Sequence, residues 1–355
     1  MRALVAMSGG VDSSVAAALL TERGVECVGV NMHLYDNERI GLSRQKTCCS
    51  LEDVEDAKRV AYGLGMRFFV FNFSDDFEKT VIDRFIRTYE QGGTPNPCID
   101  CNRFMKFEKL YERAKIMECD KVVTGHYARV ERRGDGRWLL KKSKNTAKDQ
   151  SYVLYFLSQE QLSHTLLPLG DFESKDEVRR VAEKYGFVNA GKPDSQDICF
   201  VPDGDYAAFI ERSTGRTAAE GNFVTPDGKI LGKHKGIIHY TVGQRKGLGL
   251  ALPRPGYVCE KRVDTNEVVV GDRESLLVPS LRAAEVNFIA LEKAEKPFRA
   301  TVKTRYHGPE VPALVMPLAD GRVEVTFDTP QPRAAAGQAA VFYDGDIVLG
   351  GGRIL

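Results

Sequence analysis

The sequence predicts an α/β N-terminal domain, a parallel sheet with helices on both faces, followed by two small β-rich domains, the last a β-barrel. Three observations carry this. Short apolar runs alternate with helical periods through the first 125 residues, the order expected of strands and helices wound around a parallel sheet. A glycine pair stands between the first run and the first helix. Beyond about residue 200, Gly, Pro and β-branched residues increase and long helical periods cease, the texture of short strands joined by turns.

Arg2–Met7 is apolar and is cut off by Ser8-Gly9-Gly10, which reads as a buried first strand. Ser13–Arg23 is rich in Ala and Leu and stops at Gly24, as a glycine-capped helix does. Val25–Met32 reads as the second strand. Ser50-Leu51-Glu52-Asp53 has the form of a capping box, with Asp in the Glu/Gln slot, and opens a helix that runs to about Gly65. Met66–Phe73 supplies a third strand, Asp75–Glu90 and Arg103–Met117 two further helices, and Lys121–Thr124 a short strand aimed at Gly125-His126.

In the second half, Lys235–Val242, Gly256–Val263 and Glu267–Val270 read as short strands. Ala283–Ala290, Phe298–Tyr306, Val311–Val315, Arg322–Phe327 and Gln338–Tyr343 form a further set. Boundaries near 200 and 278 give domains 1–200, 201–277 and 278–355. No internal repeat or low-complexity segment interrupts them.

Fifty Lys and Arg against 49 Asp and Glu leave a net charge of +1. That balance excludes a uniformly basic nucleic-acid binder but permits local basic faces. A hydrophobic share of 43% and a charged share of 28% belong to a folded chain. No apolar stretch approaches the ~20 residues needed to cross a bilayer. Ala3–Met7, ended at once by Ser8, does not make a signal peptide. A cytoplasmic protein with no membrane partner is expected. Eight cysteines in 355 residues are too few for a disulfide scaffold, so clustered cysteines point to metal, redox or nucleophilic work.

Ser8-Gly9-Gly10-Val11-Asp12-Ser13-Ser14 stands where strand becomes helix. The glycines let the backbone turn sharply and approach an anion closely. The free N–H groups of the helix start then face that anion, favoured by the dipole. Ser13 and Ser14 add hydroxyls, and Asp12 suits a Mg²⁺ that bridges phosphate oxygens. The Gly-Lys-Ser/Thr ending of a Walker loop is missing, so γ-phosphate transfer is not the natural chemistry. The bland alternative is a glycine-rich turn with an incidental cap. The segment resembles the PP-loop of the ATP pyrophosphatase superfamily, whose Rossmann-like domain cleaves ATP between the α and β phosphates and activates an oxygen as its AMP ester. The resemblance implies ATP contacts from Ala6, Met7, Ser8, Gly9, Gly10, Val11, Asp12 and Ser13. It also places Met32 against adenine and Gly125 beside the nucleotide.

Thr94-Pro95-Asn96-Pro97-Cys98-Ile99-Asp100-Cys101-Asn102 joins two predicted helices, and its prolines argue for an irregular, accessible loop. Cys101, just ahead of the helix predicted from Arg103, gains thiolate character from that helix's dipole. Cys199 ends the α/β domain within Asp194-Ser195-Gln196-Asp197-Ile198-Cys199-Phe200. Cys27, Cys119 and Cys259 lie in or beside apolar segments and read as small core residues, and Cys48-Cys49 as structural or incidental. Cys98-x-x-Cys101 is also half of a zinc site, though no second C-x-x-C completes it.

Several segments together resemble the tRNA-specific 2-thiouridylase (MnmA, TrmU) family. They are Thr94–Asn102 with Lys106-Phe107, Thr124–Arg129, Lys148–Tyr152, Asp197–Phe200 and Gly243-Gln244-Arg245-Lys246-Gly247-Leu248-Gly249. The resemblance covers nearly the whole chain and implies an ATP-dependent tRNA-uridine 2-sulfurtransferase. The C2 oxygen of the wobble uridine is adenylated and then replaced by sulfur, giving 2-thiouridine, AMP and pyrophosphate. Cys101 is implied as the nucleophile and Cys199 as the persulfide carrier, loaded by a cysteine desulfurase or a sulfur-relay protein. The division makes chemical sense, because the oxo group leaves poorly and AMP leaves well. Either Cys101 attacks the persulfide, releasing hydrosulfide or leaving a Cys101–Cys199 disulfide, or the persulfide attacks the base directly.

The family also implies tRNA contacts from Asn96, Pro97, Cys98, His126, Lys148, Asp149, Gln150, Arg305, Tyr306 and Gln338. For His126 the residues alone leave a packed core histidine open. Where the family commonly has Asp after Asn-Pro, proposed there as a general acid/base, this chain has Cys98, so that role does not carry over. Cys98, Cys101 and Cys199 also make a three-thiolate set of the kind that holds a [4Fe–4S] cluster with one open iron, as related thiolases do.

From Arg129 to Lys148 eight Lys/Arg stand against two acids, and residues 228–254 hold Lys229, Lys233, Lys235, Arg245, Lys246 and Arg254 with no acid. Such runs are often plain solvated faces; two of them in a chain of net charge +1 point to a phosphate-backbone footprint. Tyr127, Tyr152, Tyr240 and Tyr306 are candidate stacking surfaces for an extruded base. The rival readings are another PP-loop enzyme acting on RNA or a small molecule, which needs no cysteine pair, and a tRNA-binding protein without catalysis, which releases no AMP.

Overall fold

The computed structural model describes residues 1–35, 51–193 and 198–355. It divides into two compact units: Met1–Val81 with Cys98–Gly204 and Asp346–Val348, and Ile82–Pro97 with Asp205–Gly345 and Leu349–Leu355. Ser50 of the expected capping box, Cys48-Cys49 and Asp194–Asp197 lie outside the described residues.

The first unit is built on β1 (Arg2–Ala6), β2 (Glu26–His33), β3 (Arg67–Asn72) and β4 (Lys121–Val123), then a hairpin of β5 (Ala128–Arg132) and β6 (Trp138–Lys142), then the short β7 (Thr165–Leu166). The sheet runs β3-β2-β1-β4-β7, every pairing parallel. Alternate residues of β1 point to opposite faces and both faces are covered. Ala3 and Val5 pack with Ala16, Ala17 and Leu20 of α1 (Val11–Glu22) and with Ala57 and Val60 of α2 (Leu51–Gly63). Leu4 and Ala6 face Val28, Leu110 and Ala114 on the other side. Leu4, Val5 and Leu110 are wholly buried, and each aliphatic side chain so buried contributes about 1.5–3 kcal/mol. Gly24 takes φ 74° after α1, and the Val25 N–H returns to the Leu20 carbonyl, so the expected glycine stop is present.

Two helical expectations need correction. Asp75–Glu90 is three consecutive pieces: Ser74–Phe77, a π-helical turn Glu78–Ile82, and Asp83–Glu90. The helix expected from Arg103 begins instead at Pro97, running through Pro97–Asp100, π-helical turns Cys101–Lys109 and Leu110–Ile116. Pro97, which argued against helix, opens one: its fixed φ suits a first helical turn, and its missing N–H would have had no partner there. The loop therefore ends at Asn96, and Cys101 lies within the helix. The β5–β6 hairpin went unread in the sequence, because its basic residues mask the strand pattern.

In the second unit, Phe85 and Tyr89 of helix Asp83–Glu90 stack on Tyr206 and Phe209 of helix Tyr206–Thr214. A four-stranded sheet follows, from β8 (Gly221–Val224), β9 (Ile230–His234), β10 (Tyr257–Arg262) and β11 (Glu267–Gly271), in the order β10-β11-β8-β9. The last six strands are β12 (Leu277–Phe288), β13 (Phe298–Lys303), β14 (Val311–Pro317), β15 (Val323–Pro332), β16 (Ala339–Asp344) and β17 (Ile347–Ile354). They run β12-β15-β14-β13-β16-β17 and close through β12–β17, the expected barrel, which leaves no free edge.

The expected strand Lys235–Val242 is not one. Gly236 takes φ 118°, with room for no Cβ beside Ala218, and leads into a 3₁₀ turn Ile237–His239. β17 escaped notice because its Leu-Gly-Gly-Gly run reads as loop. Its glycines are needed for close approach: a Cβ on Gly350 would lie 2.3 Å from the Asn287 carbonyl.

Candidate active site

The phosphate loop forms where β1 meets α1. Gly9 has φ 81°, and a Cβ there would sit 2.3 Å from the Asp53 carbonyl oxygen, so the start of α2 covers the loop only because Gly9 has no side chain. Gly10 is the extended N-cap of α1 and has no side-chain cap. The first-turn N–H groups of α1 have no carbonyl four residues behind them, which makes this an anion-receptive end.

The serine hydroxyls do not face outward as expected. Ser13 Oγ accepts the Ser8 N–H at 3.2 Å and donates to the Gly10 carbonyl at 3.0 Å. Ser14 Oγ, fully buried, donates to that carbonyl at 3.1 Å. Ala6 and Met7 are buried at the strand end, where the Met7 carbonyl accepts the Asn31 amide at 2.9 Å. Asn189, 2% exposed, donates to both the Gly9 carbonyl and Ser14 Oγ at 2.9 Å. Neither asparagine was found from the sequence. Each is a single residue outside any motif, and Asn189 acts across 180 positions.

Asp12 receives Lys175 Nζ on both carboxylate oxygens at 2.7 Å, and the Tyr127 hydroxyl on Oδ1 at 2.7 Å. Lys175 opens the helix Lys175–Lys184, capped by Ser174. Gly125 presses on the same loop: a Cβ there would lie 2.8 Å from the Asp12 carbonyl carbon and the Ser13 nitrogen. Asp12 therefore already carries a cation. A single carboxylate suits Mg²⁺ that arrives with phosphates, the usual mode for that ion. Lys192 bridges Asp53 at 2.5 Å and Asp56 at 2.9 Å beside the loop. Burial opposes the Lys192 charge, and the two carboxylates outweigh it, raising its pKa. Met32, on β2, is partly buried against the core.

Cys101 is partly exposed and Cys98 exposed, neither in a disulfide. Pro97 starts the helix four residues before Cys101, so the cysteine does not precede a helix N-terminus as expected. It opens instead a run of π-helical turns, a rare geometry that recurs at functional sites. Cys199 is partly exposed and outside any disulfide, and its carbonyl accepts the Tyr35 hydroxyl at 2.7 Å. The next residue, Phe200, meets Phe77 edge-on at 5.7 Å, and Lys109, at the end of the π-helical run, pairs with Asp76 at 3.4 Å. The Cys199 segment and the Cys101 helix are thus fastened to one turn, Ser74–Phe77. Cys27, Cys119 and Cys259 are buried, and burial pushes each thiol pKa up, as core cysteines require. Among the described residues no three His, Cys, Asp or Glu side chains gather as a metal site. Cys98, Cys101 and Cys199 do not form such a group, and Cys48-Cys49, which could complete the half zinc site, lie outside the described residues.

The residues expected at RNA divide by unit. In the first, His126 is 7% exposed, bonded through Nδ1 to Thr124 Oγ1 at 2.7 Å and set beside the Phe107 ring. Burial, with the nearby Lys106 charge, holds its pKa well below the ordinary value. Gln150 Oε1 accepts the Tyr127 N–H, and Asp149 accepts from Ser143 and Ser151, so both shape the segment that presents Lys148. The basic run is partly neutralised: Arg129 and Lys141 pair with Asp346, Lys141 also with Glu131, Lys144 with Asp171 and Arg133 with Asp135. Asp171 and Asp346 come from distant sequence, which is why the local count overstated the charge.

In the second unit Arg305 is exposed and Tyr306 half-buried, its ring edge-on to His307 at 4.5 Å. Gln338 Nε2 donates to the Thr94 carbonyl at 2.7 Å, and the Thr94 N–H reaches the Ala336 carbonyl. Lys261 holds the same segment, Nζ donating to the Gly93 and Tyr240 carbonyls at 3.1 and 2.8 Å. Its burial pushes the amine down to about 8. The stretch leading into Asn96-Pro97 is thereby tied to both β-rich parts of its unit. Tyr127, Tyr152 and Tyr240 are no stacking platforms: all are buried, and Tyr240 belongs to the core around Phe223.

Family models match residues 1–203 as a tRNA methyl transferase HUP domain, 207–272 as a tRNA methyl transferase PRC-barrel domain and 278–354 as an aminomethyltransferase β-barrel domain. A tRNA-specific 2-thiouridylase MnmA of Acetivibrio thermocellus is 50% identical over 355 residues, covering 99% of each chain. Its namesake in Symbiobacterium thermophilum is 50% identical over 358 residues, covering 99% of this chain and 92% of the relative. That of Clostridioides difficile is 48% identical, covering 99% and 98%. The family-model descriptions speak of methyl transfer and the relatives' names of thiolation; a phosphate loop and two accessible thiols suit the second chemistry.

Proposed function

This chain belongs to the tRNA-specific 2-thiouridylase family, and from that premise we propose that it converts the wobble uridine of tRNA to 2-thiouridine with ATP as activator. The observation that carries the reading is the joint presence, in one unit, of an anion-receptive glycine loop and two partly exposed cysteines outside any disulfide, whose segments both pack on the turn Ser74–Phe77.

The first-turn N–H groups of α1 receive the triphosphate, and the uracil C2 oxygen attacks the α-phosphorus, expelling pyrophosphate. Asp12 would hold a Mg²⁺, which would neutralise phosphate charge there, and Lys175 brings a second cation to the same loop. The terminal sulfur of a Cys199 persulfide then bonds to C2, and the C2–O bond breaks with AMP leaving. Cys101 thiolate attacks the Cys199 sulfur, cleaving the sulfur–sulfur bond so that the outer sulfur stays on the base. Two thiols are oxidised to a disulfide, the transferred sulfur is reduced to the sulfide level, and an external dithiol resets the pair. A cysteine desulfurase or relay protein reloads Cys199, in the cytoplasm where tRNA and reductant are found. Asn96, Pro97, Arg305, Tyr306 and Gln338 from the second unit and His126, Lys148, Asp149 and Gln150 from the first bear on tRNA, with Gln338, Asp149 and Gln150 acting through the loops they hold. Three domains, 1–200, 201–277 and 278–355, divide this work. No step passes through an iron–sulfur cluster.

The test is tRNA nucleoside mass spectrometry with purified protein, ATP and a persulfide donor. Wild type forms 2-thiouridine and releases AMP only with tRNA present. Cys101→Ser and Cys199→Ser each form none. Thiolation surviving both substitutions, or AMP release independent of tRNA, overturns the proposal.

A further inference from the structure

The Gly243–Gly249 motif has no part in the chemistry above, yet it belongs to one of the most deliberately held loops in the molecule. Between the 3₁₀ turn Ile237–His239 and β10, the chain from Arg245 to Gly256 curls around an open cleft of about 420 Å³. That volume lies within the range of small-ligand sites. Gln244 organises the entry: its Oε1 accepts the Thr241 N–H, its Nε2 donates to the Lys246 carbonyl, and its carbonyl accepts the Val258 N–H. Gly243, Gly247 and Gly249 take φ 89°, 74° and 69°, a path other residues resist.

Leucines anchor the rest. Leu248 is 9% exposed in the core with Phe223 and Tyr240, and Leu250 and Leu252 pack against that core. Gly232 and Gly256 make room for them: a Cβ on either would lie 2.9 Å from Leu250 or 2.5 Å from Leu252. With the leucines turned inward, Arg245, Lys246 and Arg254 are left outward and exposed.

The cleft's own lining holds Arg245 and Arg254 and no acid. Residues 228–254 contain no acid, and among the described residues Arg245, Lys246 and Arg254 make no ion pair. Arg254 is felt by Asp272, whose Oδ1 is already held by the Ser275 N–H and hydroxyl. A second, independent observation gives direction: the position of a Gly243 Cβ lies 3.1 Å from the Arg305 guanidinium, so the loop adjoins an exposed arginine expected at tRNA. Two guanidinium forks, glycine backbone without side-chain cover and a Leu/Pro floor match a ribose-phosphate unit. The forks suit phosphate oxygens, and the apolar floor suits the sugar.

Resting on the tRNA reading, we propose that the Arg245–Gly256 cleft is a phosphodiester-binding site that grips the substrate tRNA's backbone away from the reacting base. Each arginine then contributes a sequence-independent contact that releases condensed counterions.

The experiment titrates an unmodified tRNA carrying a wobble uridine against full-length wild type, Arg245→Ala, Arg254→Ala and the double variant at several salt concentrations. Each single variant binds about tenfold more weakly at low salt, with the loss in KM for tRNA. The slope of log K against log salt flattens by about one per arginine removed. Arg245→Lys and Arg254→Lys retain most of the slope, since a lysine still neutralises phosphate. Wild-type thiolation together with slopes unaltered in the double variant overturns the inference alone. A wild type that neither binds nor thiolates tRNA overturns the underlying reading and the inference with it.

Discussion

Lys175 Nζ lies 2.7 Å from both carboxylate oxygens of Asp12, joining residues 163 positions apart at the mouth of the phosphate loop. The pair settles a charge problem. A carboxylate on the first turn of α1 would otherwise repel the triphosphate this helix end attracts. The counter-charge on Lys175 offsets that repulsion.

Lys175→Met should therefore weaken ATP rather than unfold the protein. Losing a hydrogen bond to a charged group costs about 1.5–3 kcal/mol, roughly a tenfold to hundredfold rise in the ATP KM for tRNA-dependent AMP release. Because Asp12 is also the carboxylate offered to Mg²⁺, Asp12→Asn added to it should cost less than the sum of the two single losses, as coupled partners do. Additive effects would show that the pair does not act as a unit.

Asn189→Ala removes the amide that ties the Gly9 carbonyl to Ser14 Oγ in a site 2% exposed. Leaving the two buried acceptors without this donor costs about 1–3 kcal/mol. The urea midpoint should fall by a corresponding amount, and saturating ATP should protect the variant less than wild type. A midpoint within error of wild type would mean the loop holds its shape by other means.

His126 should make stability pH-dependent. Burial, aided by the Lys106 charge, keeps the folded imidazole neutral well below its ordinary value of 6.5, so the unfolded chain binds the proton first as pH falls. The stability conferred is complete above about pH 6.5 and is lost as pH drops below it. The slope approaches ~1.4 kcal/mol per pH unit. His126→Gln should flatten that acid limb in denaturant titrations at about pH 7.5, 6.0 and 5.0. An equal slope in variant and wild type would contradict the buried, neutral assignment.

Lys261 works at the other end of the scale. Burial lowers its amine from 10.5 to about 8, so between those values the unfolded chain holds more protons and stability rises with pH. The gain is full above the ordinary lysine value and is lost as pH falls through about 8. Lys261→Met should abolish this alkaline gain, and should raise KM for tRNA by loosening the Gly93–Pro97 segment. A variant that keeps both the gain and the KM would sink the assignment.

The parallel sheet and the barrel were legible because burial imposes periods that survive in a single chain. Ala3–Ala6 is apolar on both faces because helices cover both, and the barrel strands β14 and β15 alternate. The elements that escaped notice share a cause. β17 carries three consecutive glycines where its backbone meets Asn287, and the β5–β6 hairpin hides under basic residues later neutralised by Asp346. Pro97 misled because proline ends helices and begins them with the same chemistry, and only position tells which. Tyr127 and Tyr152 looked available for stacking because sequence records no depth.

The order of residues alone determined the phosphate loop, the two thiols and the alternation of strand and helix, since glycine freedom, thiol chemistry and side-chain period act over a few neighbours. Tertiary structure alone decided which group answers Asp12, what holds Gly9 in place, that His126 is neutral, and that the segments carrying Cys101 and Cys199 share one turn. Those outcomes depend on desolvation and on pairings, ring contacts and hydrogen bonds between residues far apart in the chain, and neither leaves a mark in the local sequence.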